Sequence, residues 1–198
     1  MNDTMDLLQP EPPAFEGMSK IARLSREIII TEKIDGSNAQ IYINSAGNWW
    51  AGSRSRWLSK ETDNFGFWQW VYDNQEELLK LGEGRHRGEW WGSGIQRRYG
   101  MLERHFSLFN TTLWWNNVDR PFCCDVVPVL YQGDFCTEAV EDALWLLRRE
   151  GSRAVPGFMD PEGVVVYHTA ANVMFKKTLR NDEQPKRLLP PVVPLLGK

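Results

Sequence analysis

No apolar run in these 198 residues approaches the roughly 20 that a membrane-spanning helix needs, so the sequence argues against a helical membrane protein. Nor does its beginning, MNDTMDLLQPEPP, join a basic region to an apolar core, the pattern of a secretory signal. The expectation is a protein at work in a cytoplasm. Cysteine is scarce: there are three, two of them adjacent (Cys123, Cys124), which makes neither a disulfide framework nor a metal-ligand spacing. They read as buried or half-buried strand residues in a reducing compartment. An excess of positive charge is also missing. The net charge is −3, so any nucleic-acid binding has to come from local patches. There is no internal repeat and no low-complexity tract away from the two ends.

Tryptophan, by contrast, is abundant. Ten occur, many in pairs such as Trp49-Trp50, Trp90-Trp91 and Trp114-Trp115. Most are expected in the core, with room for one or two that stack on bases. Short runs rich in Ile, Val, Tyr and Trp dominate the middle of the chain: EIIITEK, NAQIYIN, NWWAGSRS, GEWWGSG, HFSLFNTTLWW, FCCDVVPVLYQ, GVVVYHTA and VMFKKTL. Ser45-Ala46-Gly47 and the HTAANV segment are predicted hairpin turns. Two helices are predicted. One lies in NFGFWQWVYDNQEELLKLG and stops at Gly82; the other, TEAVEDALWLLRREG, has Thr137 as N-cap and a stripe of Val140, Ala143, Leu144 and Leu147. Strands that do not alternate with helices point to an α+β fold on antiparallel sheets. The division expected is an N-terminal arm over residues 1–14, a folded unit over 15–180 and a proline-rich tail over 181–198.

Chemistry concentrates first at Lys33, which ends an apolar strand between Glu32 and Asp35. A lysine amine attacks phosphorus or a carbonyl only after losing its proton, so its surroundings must favour the neutral amine. Two flanking carboxylates oppose that unless a metal ion or basic groups neutralise them. Arg54, Arg56, Lys176 and Lys177 are the basic candidates.

The stretch EKIDGSN resembles motif I, Lys-x-Asp-Gly, of the covalent nucleotidyltransferases, the polynucleotide ligases and mRNA capping enzymes. GEWWG (88–92) is similar to their motif III, FSLFN (106–110) to motif IIIa, EGVVVY (162–167) to motif IV and FKKTL (175–179) to motif V. Five motifs in order, from Lys33 to Lys177, cover nearly the whole folded unit. The resemblance implies an adenylation domain of the ligase and capping-enzyme type. It makes Lys33 the nucleophile toward the α-phosphate of ATP, giving a lysyl–AMP phosphoramidate and releasing pyrophosphate, with Mg²⁺ or Mn²⁺ as cofactor. Lys176 and Lys177 would hold the α-phosphate. Because they are adjacent on a strand, where the family spaces its lysines one apart, only one should face the site, with Lys176 favoured. Glu162, with Asp35, is the implied metal-side acid. Glu89 would accept a ribose hydroxyl, Phe109 (with Phe106 second) would stack on the base, and Glu32 would lie near the adenine amino group. Ile34, Asn38 and Arg54 complete the nucleotide-binding set, with Arg56 behind Arg54.

DNA ligases and capping enzymes usually carry Arg where this chain has Asn38. TEKIDGSN most resembles the phage RNA ligase 2 group of RNA-repair ligases, although those relatives have His at the position of Asp35. The resemblance therefore implies an ATP-dependent RNA ligase, of phage origin, that transfers AMP to a 5′-phosphate end and seals it to a 3′-hydroxyl, on single strands or a nicked duplex. Other readings are a minimal DNA ligase, a capping-type guanylyltransferase, or a nucleotide-binding or AMP-transferring protein that seals nothing. Some twenty residues follow Lys177, so neither an OB barrel nor another second domain is expected, and an accessory protein could supply that grip. GIQRRYG and RHRGEW are the densest basic clusters available to nucleic acid.

Overall fold

The computed structural model describes residues 14–180 and 182. The predicted arm (all but its last residue) and nearly all of the predicted tail lie outside the described residues. Among the described residues, regular structure begins at Glu27, and residues 14–26 run exposed without helix or strand.

Two sheets carry the fold. The first is built from β1 (Glu27–Lys33), β7 (Val129–Asp134), β8 (Gly163–His168) and β9 (Val173–Thr178), in the order β7-β1-β8-β9, every pair antiparallel. The second holds β2 (Ser37–Ile43), β3 (Trp49–Ser53), β4 (Gly84–Gly92), β5 (Arg104–Leu108) and β6 (Cys124–Val126), in the order β3-β2-β4-β5-β6. The β5–β6 pair is parallel, a departure from the all-antiparallel expectation. Both turns read from the sequence are present: Gly47 takes φ +79° between β2 and β3, and Asn172 takes φ +52° between β8 and β9.

Each sheet buries one face under helix. The α4 helix (Thr137–Glu150) lays Ala139, Ala143, Leu144 and Leu147 on Ile28, Ile30, Val164 and Val166 of the first sheet. At roughly 1.5–3 kcal/mol for each buried aliphatic side chain, this face is a main source of stability for the sheet that carries Lys33. Thr137 is the first helical residue and not the cap: Cys136 takes the extended N-cap conformation, with no side-chain capping bond. On the second sheet, α1 (Phe67–Asp73) and α2 (Gln75–Leu78), continued by a 3₁₀ turn to Leu81, cover Ile41, Trp90, Phe106 and Leu108. The single predicted helix is thus broken at Asn74, whose side chain donates to the Trp70 carbonyl and competes with helix continuation.

Two long strand readings also divide. Asn110 caps a helical turn, α3 (Thr111–Trp114), by accepting from the Leu113 amide, so HFSLFNTTLWW is strand only as far as Leu108. FCCDVVPVLYQ changes sheets in its middle, β6 belonging to one and β7 to the other. Pro128, which has no amide to give a ladder, lies at the switch and its carbonyl accepts from the Glu32 amide. Among the described residues no helix is long and apolar enough to cross a membrane.

Trp90, Trp91 and Trp114 are buried as expected, and the three cysteines are free and at least half-buried. Trp50, Trp57, Trp115 and Trp145 are exposed.

Candidate active site

The chain passes from one sheet to the other through Ile34, Asp35 and Gly36, between the end of β1 and the start of β2. Side chains alternate along β1. Ile28, Ile30 and Glu32 point toward α4, so Lys33 points to the opposite, helix-free face. On the second sheet, Ala39 and Ile41 face the helices, which leaves Asn38 on the helix-free side with its cross-strand partner Glu89. The two helix-free faces meet where β1 ends.

Lys33 Nζ donates to Glu162 Oε2 at 2.5 Å; Glu162 lies immediately before β8, beside the end of β1, and is 5% exposed. Glu89 is also buried. It accepts from the Gly36 amide at 3.0 Å and from Asn38 Nδ2 at 2.8 Å, within the electrostatic reach of Lys33 and Glu162. Gly36 is required here, because a Cβ would come within 2.5 Å of the Trp90 carbonyl oxygen. Asp35 is clamped by Arg97 Nε at 3.0 Å, while Arg97 Nη1 reaches Asp160 at 2.6 Å. The Asp35 amide donates to the buried Tyr99 hydroxyl, whose ionisation burial pushes up. Ile34 is buried with Trp91, Tyr99 and Val127.

Glu32 occupies the other face of β1. Its carboxylate accepts from Ser152 Oγ (2.6 Å) and from the Arg153 and Ala154 amides (2.7 and 3.0 Å) in the loop after α4. Burial still pushes its carboxyl above the ordinary range.

The register separates the two late lysines. Lys176 pairs across with Val165, and Val165 with Thr31, so all three share the face of Lys33. Lys177 pairs with Val164, on the α4 face, and is bound to Glu141 of that helix. Arg54 and Arg56 separate similarly. Arg54 is exposed in the turn that follows β3, next to Ser53, whose cross-strand partner on β2 is Ala39. Arg56 donates to the Thr62 carbonyl in its own loop. Phe106 is fully buried against Phe67 and Trp70, whereas Phe109 is exposed just after β5, its amide bonded to the Arg87 carbonyl. Of the residues in this network, the sequence assigns no site role to Arg97, Tyr99, Ser152 or Asp160. GIQRRYG marked the first two only as a basic cluster, and left-handed backbone at Gln96, Arg98 and Tyr99 is what turns that loop inward.

Burial raises the Glu89 carboxyl to about 7, despite the opposing bonds from Asn38 and Gly36 and the charge of Lys33. Since the folded value lies above the unfolded one, the fold holds the proton more tightly. This contribution to stability is present below about pH 4.5 and is lost as pH rises toward 7. The full loss is about 3 kcal/mol. Urea unfolding of wild type and Glu89→Gln at pH 5 and pH 8 should therefore show the variant gaining on wild type as pH rises. Parallel profiles would show that Glu89 titrates normally.

The sequence profile of the RNA ligase family matches residues 26–178. No curated protein matches the chain. Among solved structures, it is similar to Naegleria gruberi RNA ligase in several forms. A ligand-free variant has a TM-score of 0.57 at 19% identity over 84% of this chain and 56% of that one. A variant with AMP and manganese has 0.58 at 20% over 78% and 50%, and one with ATP and manganese 0.58 at 22% over 78% and 50%. The chain spans about half the length of those ligases. Their likeness establishes the shared fold. The family match covers most of the chain, four of the motifs in full and the fifth as far as Thr178. This protein belongs to the RNA ligase family.

Proposed function

We propose that this domain is the adenylation unit of an ATP-dependent RNA ligase. The observation that carries the reading is Lys33 Nζ, held at 2.5 Å by the buried Glu162 on the face it shares with Lys176, with Glu89 and Asn38 close by.

In this reading Lys33 attacks the α-phosphorus of ATP, the bond to the bridging oxygen breaks, and pyrophosphate leaves. Glu162 Oε2, in contact with Nζ, is the acceptor placed to take the lysine proton. Glu89 receives a ribose hydroxyl and Phe109 lies against the base. Lys176 and Arg54 offer cations to the phosphates, where charge builds as the bond breaks. AMP then passes to a 5′-phosphate end of RNA, and a 3′-hydroxyl displaces it to form the phosphodiester.

That Naegleria gruberi RNA ligase is found with ATP or AMP and manganese supports Mg²⁺ or Mn²⁺ here. Among the described residues, no three His, Cys, Asp or Glu side chains form a metal cage. Mg²⁺ needs no such cage, since it is bound by one or two carboxylates together with phosphates and water. Glu162 is the carboxylate that fits, whereas the Asp35 carboxylate is engaged by Arg97. The ion would neutralise the phosphate charge. Asn38 at the position that separates the branches supports a place near the phage RNA ligase 2 group.

The test is intact-protein mass after incubation with ATP and Mg²⁺, followed by addition of 5′-phosphorylated RNA or nicked DNA. One AMP per chain, chased into sealed RNA, is expected. No adduct on nucleotide-free protein would remove the reading, and sealing confined to DNA would replace RNA with DNA.

A further inference from the structure

The helix-free face of the second sheet continues past the catalytic groups, and its residues are not those of a solvated surface. Moving along β2 away from Asn38, the next outward positions are Gln40 and Tyr42, paired with Arg87 and Arg85 of β4 and with Gly52 and Trp50 of β3. Tyr42 and Trp50 have ring centroids 5.7 Å apart. Trp57 folds back from the loop after β3 through a bridge to Gly52 and lies over that glycine, where a Cβ would meet its indole at 2.9 Å. The missing side chain at Gly52 is what lets the indole lie on the sheet. The Arg85 guanidinium stands 5.4 Å from the Tyr42 ring and 5.3 Å from that of Trp57, and it donates to Gln40 Oε1 at 2.6 Å.

The result is a rigid aromatic platform with fixed cations. Trp50 is 41% and Trp57 45% exposed, a large apolar area to leave in water. None of the outward positions Gln40, Tyr42, Trp50, Arg85 and Arg87 is a carboxylate, in a chain whose net charge is −3. The first acid on that face is Glu89, in the site itself. Aromatic faces beside arginines are what a single-stranded nucleic acid requires: bases stack on the rings while guanidinium groups meet the phosphates. From Asn38 to Tyr42 the strand rises about 13 Å, so the platform begins beside the catalytic groups and continues outward from them.

We propose that Tyr42, Trp50, Trp57 and Arg85 form the surface that grips the single-stranded RNA next to the end being joined. This rests on the RNA ligase reading above and adds the place where the substrate strand lies. The platform explains how a chain without net positive charge holds RNA: stacking supplies the grip and three arginines (54, 85 and 87) supply the local charge.

The test compares wild type with Trp50→Ala/Trp57→Ala and with Arg85→Ala, using a 5′-phosphorylated single-stranded oligoribonucleotide. Lysyl–AMP formation from ATP is measured by mass, RNA affinity by filter binding at several salt concentrations, and sealing by gel. The expected result is lysyl–AMP within twofold of wild type in both variants, which also certifies the fold. RNA affinity should be roughly tenfold or more weaker in the double variant, as lost stacking requires. Arg85→Ala should weaken binding with a shallower salt dependence. Normal lysyl–AMP together with unchanged RNA affinity and sealing would overturn the surface and leave the ligase reading standing. Absence of lysyl–AMP in wild type would overturn the ligase reading itself. Single tryptophan variants separate the two rings: Trp50→Ala, which removes a strand residue packed on Tyr42, should cost affinity without the loop change that Trp57→Ala risks.

Discussion

Protein carrying Lys33→Arg should take up no AMP from ATP, yet unfold at nearly the denaturant concentration of wild type. The two outcomes separate chemistry from structure at one atom. Guanidinium keeps its proton in proteins and offers no lone pair for attack on phosphorus. It does keep a positive charge at the mouth of β1, where Lys33 is 21% exposed and the longer side chain has room to reach Glu162. Lys33→Ala should also abolish the adduct, but it removes the cation from a buried carboxylate, at a cost of about 1–3 kcal/mol. Loss of activity in the alanine variant alone would therefore mix two causes. Intact mass after incubation with ATP and Mg²⁺, beside urea unfolding of the three proteins, distinguishes them. An adduct on Lys33→Arg would mean that another lysine is the nucleophile.

The elements that the sequence makes legible are those fixed by local pattern. EIIITEK becomes a strand with the bounds Glu27–Lys33, because three successive isoleucines suit a strand buried on both faces. α4 is equally legible, since its apolar stripe and its Gly151 stop are both contained in fifteen residues. What long-range packing decides is less legible. FCCDVVPVLYQ gives no local sign that its two halves join different sheets, one of them in parallel. Nor does NFGFWQWVYDNQEELLKLG show that Asn74 will interrupt it.

The site divides along the same line. Motif residues Lys33, Glu89, Asn38 and Glu162 can be named from their order, and the fold brings them to one place. Arg97 and Tyr99 enter it through a loop of left-handed residues, which no periodicity announces. Glu32 is legible as a buried acid beside the lysine, but its three donors lie about 120 residues away, in the loop after α4. Sequence order conveys which residues a family reuses; it does not convey what holds them.

Replacing Lys176 with alanine should slow lysyl–AMP formation about a hundredfold, whereas Lys177→Ala should leave it within about threefold. The contrast follows from the pleat. Lys176 stands on the face of Lys33, two strands away across β8 and two residues along, or about 12 Å between backbones at the usual spacings. A phosphate bound between two extended lysines is within reach of both. A cation aimed at charge that develops in the transition state contributes on the order of 10²- to 10³-fold. Lys177 points the other way and holds Glu141 in a half-exposed ion pair, which is worth at most about 1 kcal/mol of stability. Single-turnover adenylation of both variants, with urea unfolding as a control, measures the difference. The opposite order of effects would mean that β9 shifts its register by one residue when ATP binds, since a one-residue slip exchanges the two faces. Agreement would show that a single outward lysine on β9 suffices where the family places two.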